Sequence, residues 1–275
     1  MLITMNSDLN YTHWKKDHET ILKNLPGKNI YILYSGGKDS SVTMDLLARA
    51  GKEFGFDFQA HGATYPAHRY TEEEKMRIES YWNKRSIDIV WHDVGETDDY
   101  IKNSPNPCFG CQELRKKLMK KIVANTIDDW SRLVIIVAFS LWDITSYAVE
   151  HMLNVVSSEF EQGHDSSKNN RLKEIAHRFH PLVKMKDGYS VFRPMLKYNN
   201  DEIKKWIEKE GIPILLIPCE FKDFRPKRIL ERYYERMGLR FNYDQVYDFA
   251  VRSLKIPDMS SYASIGKEEY FGDVF

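Results

Sequence analysis

Cysteine is scarce: the chain has three in 275 residues. An odd number at that density does not make a secreted disulfide scaffold, so the three have another job. Long apolar runs are missing as well. The longest, Leu133 to Phe139, has seven residues, where a membrane-spanning helix needs roughly 20. The opening residues MLITMNSDLNYTHWKKDHE lack the apolar centre of a signal peptide, and a cytoplasmic protein without membrane attachment is expected. An excess of either charge is absent too, with 40 Lys+Arg against 40 Asp+Glu. A strongly basic nucleic-acid coat protein is thereby excluded, whereas a local basic patch is not. No repeat and no low-complexity tract interrupts the chain, and 42% hydrophobic residues suffice for a buried core.

What is present alternates. Residues 1–27 read as a helical lead-in closed by Pro26-Gly27. Short apolar segments at 29–34, 56–64, 87–91 and 133–139 read as strands, and the last is continuous, as in parallel strands buried on both faces. Between and after them, 41–50, 71–84, 112–124 and 143–156 carry helical spacing. Residues 157–180 are polar and read as a surface insertion. Val191 to Met195 (VFRPM) ends a later strand, and 200–210 is a helix stopped at Gly211. A last apolar piece, 214–217, runs into Pro218-Cys219; 224–253 reads as helical and the tail beyond Pro257 as irregular. Such alternation predicts a parallel sheet covered on both faces: an α/β body over 28–222, the lead-in before it and a helical C-terminal extension over 223–275.

The strongest local motif is Ser35-Gly36-Gly37-Lys38-Asp39-Ser40, between a strand and a helix. Glycines let the backbone turn and approach a ligand. The free N–H groups of the helix N-terminus then face an anion, with Lys38 adding positive charge and the serines adding donors. Asp39 would repel a bare phosphate and makes sense as a ligand of Mg²⁺. The spacing fits neither a Walker loop nor a dinucleotide fingerprint. A polar turn with chance glycines is the plainer reading, which the flanking strand and helix disfavour.

This motif resembles the signature loop of the PP-loop ATP pyrophosphatases. The resemblance implies an α/β fold with a parallel sheet, of the adenine nucleotide α-hydrolase (HUP) type. It also implies ATP bound by Ser35, Gly36, Gly37, Lys38 and Ser40, and cleavage between the α- and β-phosphates. A carbonyl-type oxygen is adenylated, and ammonia, an amine or sulfur then displaces AMP.

The cysteines lie in Pro107-Cys108-Phe109-Gly110-Cys111 and Pro218-Cys219-Glu220. A redox dithiol needs only the first pair. Structural zinc wants four ligands, and neither a fourth cysteine nor a histidine beside either segment supplies one. A cubane iron–sulfur cluster with three thiolates leaves one iron open, and a merely buried Cys219 is the plain alternative. The segment PCFGCQELRKK resembles the P-C-x-x-C-x-x-x-[RK] segment of the TtcA/TtuA-type tRNA thiolases, in which a third cysteine follows a late strand and a proline. This resemblance, over about 28–222, implies that Cys108, Cys111 and Cys219 hold a 4Fe-4S cluster whose free iron binds the sulfur to be transferred.

Further positions follow from the same resemblance. Arg115 falls where the family keeps a basic residue near substrate and nucleotide; a solvated charge in the run 115–117 weighs evenly against that. Of the family's Gly-His-x-x-Asp-Asp segment only Asp143 matches, in 138–143 (AFSLWD), implying that Asp143 joins Asp39 at Mg²⁺; a helix N-cap is the alternative. Arg193-Pro194 resembles the Arg-Pro preceding the helix that leads to the third cysteine. No cysteine precedes Cys108, so the N-terminal zinc module of TtuA-type enzymes is not expected, and a TtcA-like arrangement is.

Two segments are basic: 113–121, with five positive charges against one negative, and 222–240, with seven against three. In the latter Arg225, Lys227, Arg228, Arg232, Arg236 and Arg240 recur at near-helical spacing, with Tyr233 and Tyr234 between them. Together they could hold a phosphate backbone, although a charged face is commonly just solvated.

The expected enzyme is an ATP- and cluster-dependent sulfurtransferase acting on a nucleobase carbonyl in tRNA. Thiolation of a free purine-like metabolite, or a cluster-bearing nucleotide-binding protein with little turnover, are the alternatives. A sulfonucleotide reductase is disfavoured because no cysteine follows Cys219. A sulfur-donor protein or sulfide is the expected further partner, and a homodimer is compatible with the sequence.

Overall fold

The computed structural model of the chain describes residues 8–64, 70–104, 106–160, 175–215, 219–221 and 226–274. Six strands form one sheet in the order β3-β2-β1-β4-β6-β5: β1 Asn29–Tyr34, β2 Gln59–Thr64, β3 Ile89–Asp93, β4 Leu133–Ile136, β5 Leu182–Lys184 and β6 Ser190–Phe192. Five run parallel. β5 pairs antiparallel with β6 at the edge, so the expected all-parallel sheet is mixed. The sequence reading also missed β5, whose three residues are too few to show a period.

Alternation along the central strands explains the two covered faces. Ile30, Ile32 and Tyr34 join Val134 and Ile136 in one core, while Tyr31 joins Leu133 and Ile135 in the other. The first face is covered by α1 (Tyr11–Leu22), α2 (Lys38–Phe54), α3 (Glu72–Asn83) and α7 (Asn200–Glu210), through Trp14, Leu46, Leu47, Trp82 and Trp206. The second is covered by α5 (Pro107–Thr126) through Met119, Ile122 and Val123. A short α4 (Asp98–Lys102) precedes α5. A third core joins α6 (Leu141–Phe160) to α9 (Tyr243–Ser253) through Leu141, Ile144, Ala148, Ala250 and Leu254.

Several expectations are corrected here. The lead-in is built into the first core: Trp14 Nε1 donates to the Pro194 carbonyl at 3.1 Å, and His18 Nε2 lies 3.0 Å from the same oxygen. Residues 175–180 are not surface insertion, because Ile175 to His180 are all buried; 161–174 lie outside the described residues. The segment 224–253 is two helices, α8 (Pro226–Arg236) and α9, parted at Gly238 with φ +61°. The tail is not irregular. Short helical turns at Met259–Ser264 and Tyr270–Val274 bury Tyr262, Tyr270 and Phe271 in the second core, filling the sheet face that α5 leaves open. Among the described residues no helix is long and apolar enough to cross a membrane.

Candidate functional site: a strand-end crevice and its cysteine corner

β1 hydrogen-bonds to β2 on one side and β4 on the other. The chain leaves the end of β1 towards β2 and the end of β4 towards β6, so the connections diverge. In open α/β sheets that point of divergence, beyond the carboxyl ends of the strands, forms a ligand crevice. Residues 35–37 and 137–140 are its two lips.

The first lip is a glycine turn that opens α2, of the kind that can receive an anion. Gly36 has φ +70°, and a Cβ there would lie 2.3 Å from Leu215 Cδ1, so both conformation and space demand glycine. Gly37 caps α2 in an extended conformation. The turn braces itself: Ser35 N donates to Ser40 Oγ at 3.2 Å, Gly37 N to Ser35 Oγ at 3.4 Å, and Ser40 Oγ to the Gly37 carbonyl at 3.0 Å. Lys38 Nζ pairs with the Asp39 carboxylate at 2.8 Å, each side chain 23% exposed. Tyr70, which the sequence reading passed over, donates its hydroxyl to the Ser35 carbonyl at 2.9 Å.

The second lip holds Asp143 three residues into the S-x-x-D pattern at Ser140, a legible helix-start signature. Asp143 Oδ2 accepts from Ser140 N and Ser140 Oγ, both at 2.8 Å. It is thus not the N-cap but the residue reaching back to it. Its Oδ1 faces Lys227 Nζ from α8. Burial pushes the Asp143 carboxyl up, but the Lys227 ammonium and the Ser140 donors outweigh it and hold it below the usual range. Burial pulls Lys227 down, and Asp143, Glu231, Tyr147 and Asp39 more than reverse that. The expected Mg²⁺ ligation by Asp143 meets competition: Oδ2 accepts two donors from Ser140, and Oδ1 is paired with Lys227. Asp39, with phosphates, remains a set of the kind Mg²⁺ accepts.

Cys108 and Cys111 lie at the start of α5, which begins ahead of the 112–124 read from the sequence. Cys108 Sγ donates to the Phe221 carbonyl at 3.6 Å. Cys111 packs with Ile101 and Leu114, and Phe221 lies against the same cluster. The segment carrying Cys219 thus sits on that first turn. Among the described residues no three His, Cys, Asp or Glu side chains gather around a single ion position. Cys108 and Cys111 lie on one helix, and Cys219 is two residues from Phe221, which touches them. Arg115, half-buried, follows one turn after Cys111 on the same helix.

The corner is linked to the crevice. Leu215 N donates to the Gly36 carbonyl at 2.8 Å, and Leu215 is separated from Cys219 by four chain steps, at most about 14 Å. Ile214 and Leu215 are not in a strand, contrary to expectation, because Leu215 bonds to the loop instead; Ile217, Pro218 and Arg225 lie outside the described residues. Arg193-Pro194 is scaffold. Arg193, 1% exposed, donates to the His180 carbonyl at 3.0 Å and meets His177 Nδ1 at 2.5 Å, and burial draws its pKa down to about 10.

No protein-family model matches the chain. The structure superposes on the U34-tRNA thiolase NcsA from Methanococcus maripaludis, solved with its [4Fe-4S] cluster. The TM-score is 0.62 at 16% identity, over 94% of this chain and 88% of that one. In sequence, 214 residues are 22% identical to a tRNA(Ile)-lysidine synthase from Prochlorococcus marinus, covering 76% of this chain. The chain spans 58% of the length of that curated relative. The fold is therefore the mostly parallel α/β fold of the PP-loop proteins. The likeness to that thiolase structure, at 16% identity, is one of fold.

Proposed function

We propose that the chain is an ATP-using sulfurtransferase that thiolates a nucleobase in tRNA, working in the reducing cytoplasm. The observation that carries this is the tie between crevice and cysteine corner, through Leu215 to Gly36 and Phe221 to Cys108. An ATP site and a thiol site on one short stretch of chain suit a reaction that activates with one and delivers sulfur from the other.

Ser35, Gly36, Gly37 and the N–H groups opening α2 cradle the phosphates, and Lys38 and Ser40 face or brace them. Asp39 takes the Mg²⁺ that accompanies ATP. The substrate carbonyl oxygen attacks the α-phosphorus and pyrophosphate leaves, its growing charge met by Lys38. Sulfide then attacks the activated carbon, and AMP departs with the former carbonyl oxygen. Cys108, Cys111 and Cys219 would hold a 4Fe-4S cluster, which when bound supplies an iron with an open position for that sulfide. Arg115, one turn past Cys111, meets a substrate phosphate.

Anaerobically purified protein should carry about four irons per chain, and Ala at Cys108, Cys111 or Cys219 should each remove most of them. Nucleosides from total tRNA should lack one thionucleoside when the gene is deleted, restored by the wild type but not by Cys108→Ala. Stoichiometric zinc, or ADP as the product, would overturn the assignment. Unchanged tRNA with loss of a thiolated small metabolite would move the substrate to a free purine.

A further inference from the structure

We infer that Lys227, rather than a metal ion, is the cation held by the buried Asp143 carboxylate, and that this lysine is a ligand of the nucleotide phosphates. The inference rests on the reading of residues 35–40 as the ATP site. It assigns a function to a residue outside that loop, on a helix whose Arg228 and Arg236 are exposed.

Asp143 already holds one cation and two donors. Oδ2 is taken by the two Ser140 donors and Oδ1 by Lys227. Mg²⁺ demands several oxygen ligands in near-octahedral array, which Asp39 and the phosphates would supply on the first lip, where Asp39 also meets Lys38. The crevice is thus lined by two lysine–aspartate pairs, one on each lip. The second is assembled from distant parts of the chain, since Lys227 lies 84 residues beyond Asp143.

Lys227 is placed for an incoming anion. It is the second residue of α8, and Glu231, one turn on, lies 3.5 Å from its ammonium, so the stem is steered from two sides. An ammonium has three donors. Asp143 and Glu231 occupy two directions, and the side chain is 32% exposed, which leaves the third open. The charge of Asp39 on the phosphate loop also favours the charged form of this ammonium, after Asp143, Glu231 and Tyr147. A polyphosphate seated on Gly37 and Lys38 would meet Lys227 from the opposite lip, and Asp143 would position the lysine without touching the nucleotide.

The test measures binding of ATP, inorganic pyrophosphate and adenosine by calorimetry to the full chain, with Mg²⁺ present and absent. Lys227→Met should weaken ATP and pyrophosphate about 10- to 100-fold, the range of a charge-assisted hydrogen bond, and leave adenosine unchanged; Lys227→Arg should restore most of the loss. Because Lys227→Met strands a buried carboxylate, the Lys227→Met/Asp143→Asn double variant is measured beside it. That pair keeps the shape and leaves no orphan charge, so a merely structural lysine predicts recovery of ATP affinity, whereas a phosphate ligand predicts none. Asp143→Asn alone should shift ATP affinity to the same extent with and without Mg²⁺. Recovery in the double variant, or a tenfold loss in Asp143→Asn that appears only with Mg²⁺, would overturn the inference and return Asp143 to the metal. Wild-type protein that binds none of the three ligands would instead bring down the nucleotide site itself. Normal ATP binding by Lys227→Met would bring down only the lysine.

Discussion

Adjacent glycines in the phosphate loop are held for different reasons. Gly36 is required by the protein itself: its φ is +70°, and Leu215 occupies the space a side chain would need. At Gly37 φ is −79°, and a Cβ would meet only Ser35 Oγ at 3.4 Å. Gly36→Ala should therefore lower stability by about 1–3 kcal/mol in urea unfolding, whether or not nucleotide is added. Gly37→Ala should unfold like the wild type yet bind ATP weakly, because its missing side chain matters only when a ligand approaches. Equal effects on both measurements at both positions would remove the distinction. The turn itself was legible beforehand, since a glycine pair between an apolar run and a helical one marks a strand-to-helix turn. Lys227 was not. In the sequence it is one of seven positive charges between 222 and 240, and nothing local separates it from Arg228, Arg232 and Arg236, which are exposed.

Between elements, the joint of α1 with the exit of β6 is pH-sensitive. Trp14 and His18 both meet the Pro194 carbonyl. Burial pulls His18 from its ordinary value to about 4, with the Pro194 bond opposing only in part. His61, 3.0 Å from His92 across β2 and β3, is drawn to about 4 by burial and then by its neighbour's charge. For each, the unfolded chain binds more protons than the folded one between pH 4 and 6.5, so stability rises with pH in that window and is lost as pH falls through it. Going from pH 7 to 5, each histidine should cost up to about 2 kcal/mol. His18→Gln, which keeps a donor for Pro194, should flatten the slope of the urea midpoint against pH; an unchanged slope would show that His18 does not contribute. Most helix and strand positions here follow from period and caps, as in 200–210, where reading and structure coincide. The misses share a cause: segments whose order comes from distant partners. Residues 175–180 look polar, yet Arg193 and the third core bury them.

For the whole molecule, the C-terminal residues complete the core rather than decorate it. Tyr262, Tyr270 and Phe271 pack against Tyr189, Val191 and Ile135, a burial of apolar surface worth on the order of 10 kcal/mol. That equals the whole net stability of an ordinary domain. Ending the chain at Pro257 should therefore yield insoluble or molten protein, seen as lost near-ultraviolet dichroism; a truncated chain with unchanged melting would show that the second core closes without its tail. The strand order with its divergence beside β1 could be anticipated in kind from the alternating pattern, because crossovers of this type are right-handed. The edge pairing of β5 could not, because three residues carry no period.

The single bond from Leu215 N to the Gly36 carbonyl makes one amide proton a reporter. It is the donor by which the stretch leading to Cys219 grips the phosphate loop, so its exchange with heavy water times how often the two let go. A nucleotide that stiffens the loop slows that exchange without touching Leu215. By reciprocity, anything that clamps the cysteine corner slows it too.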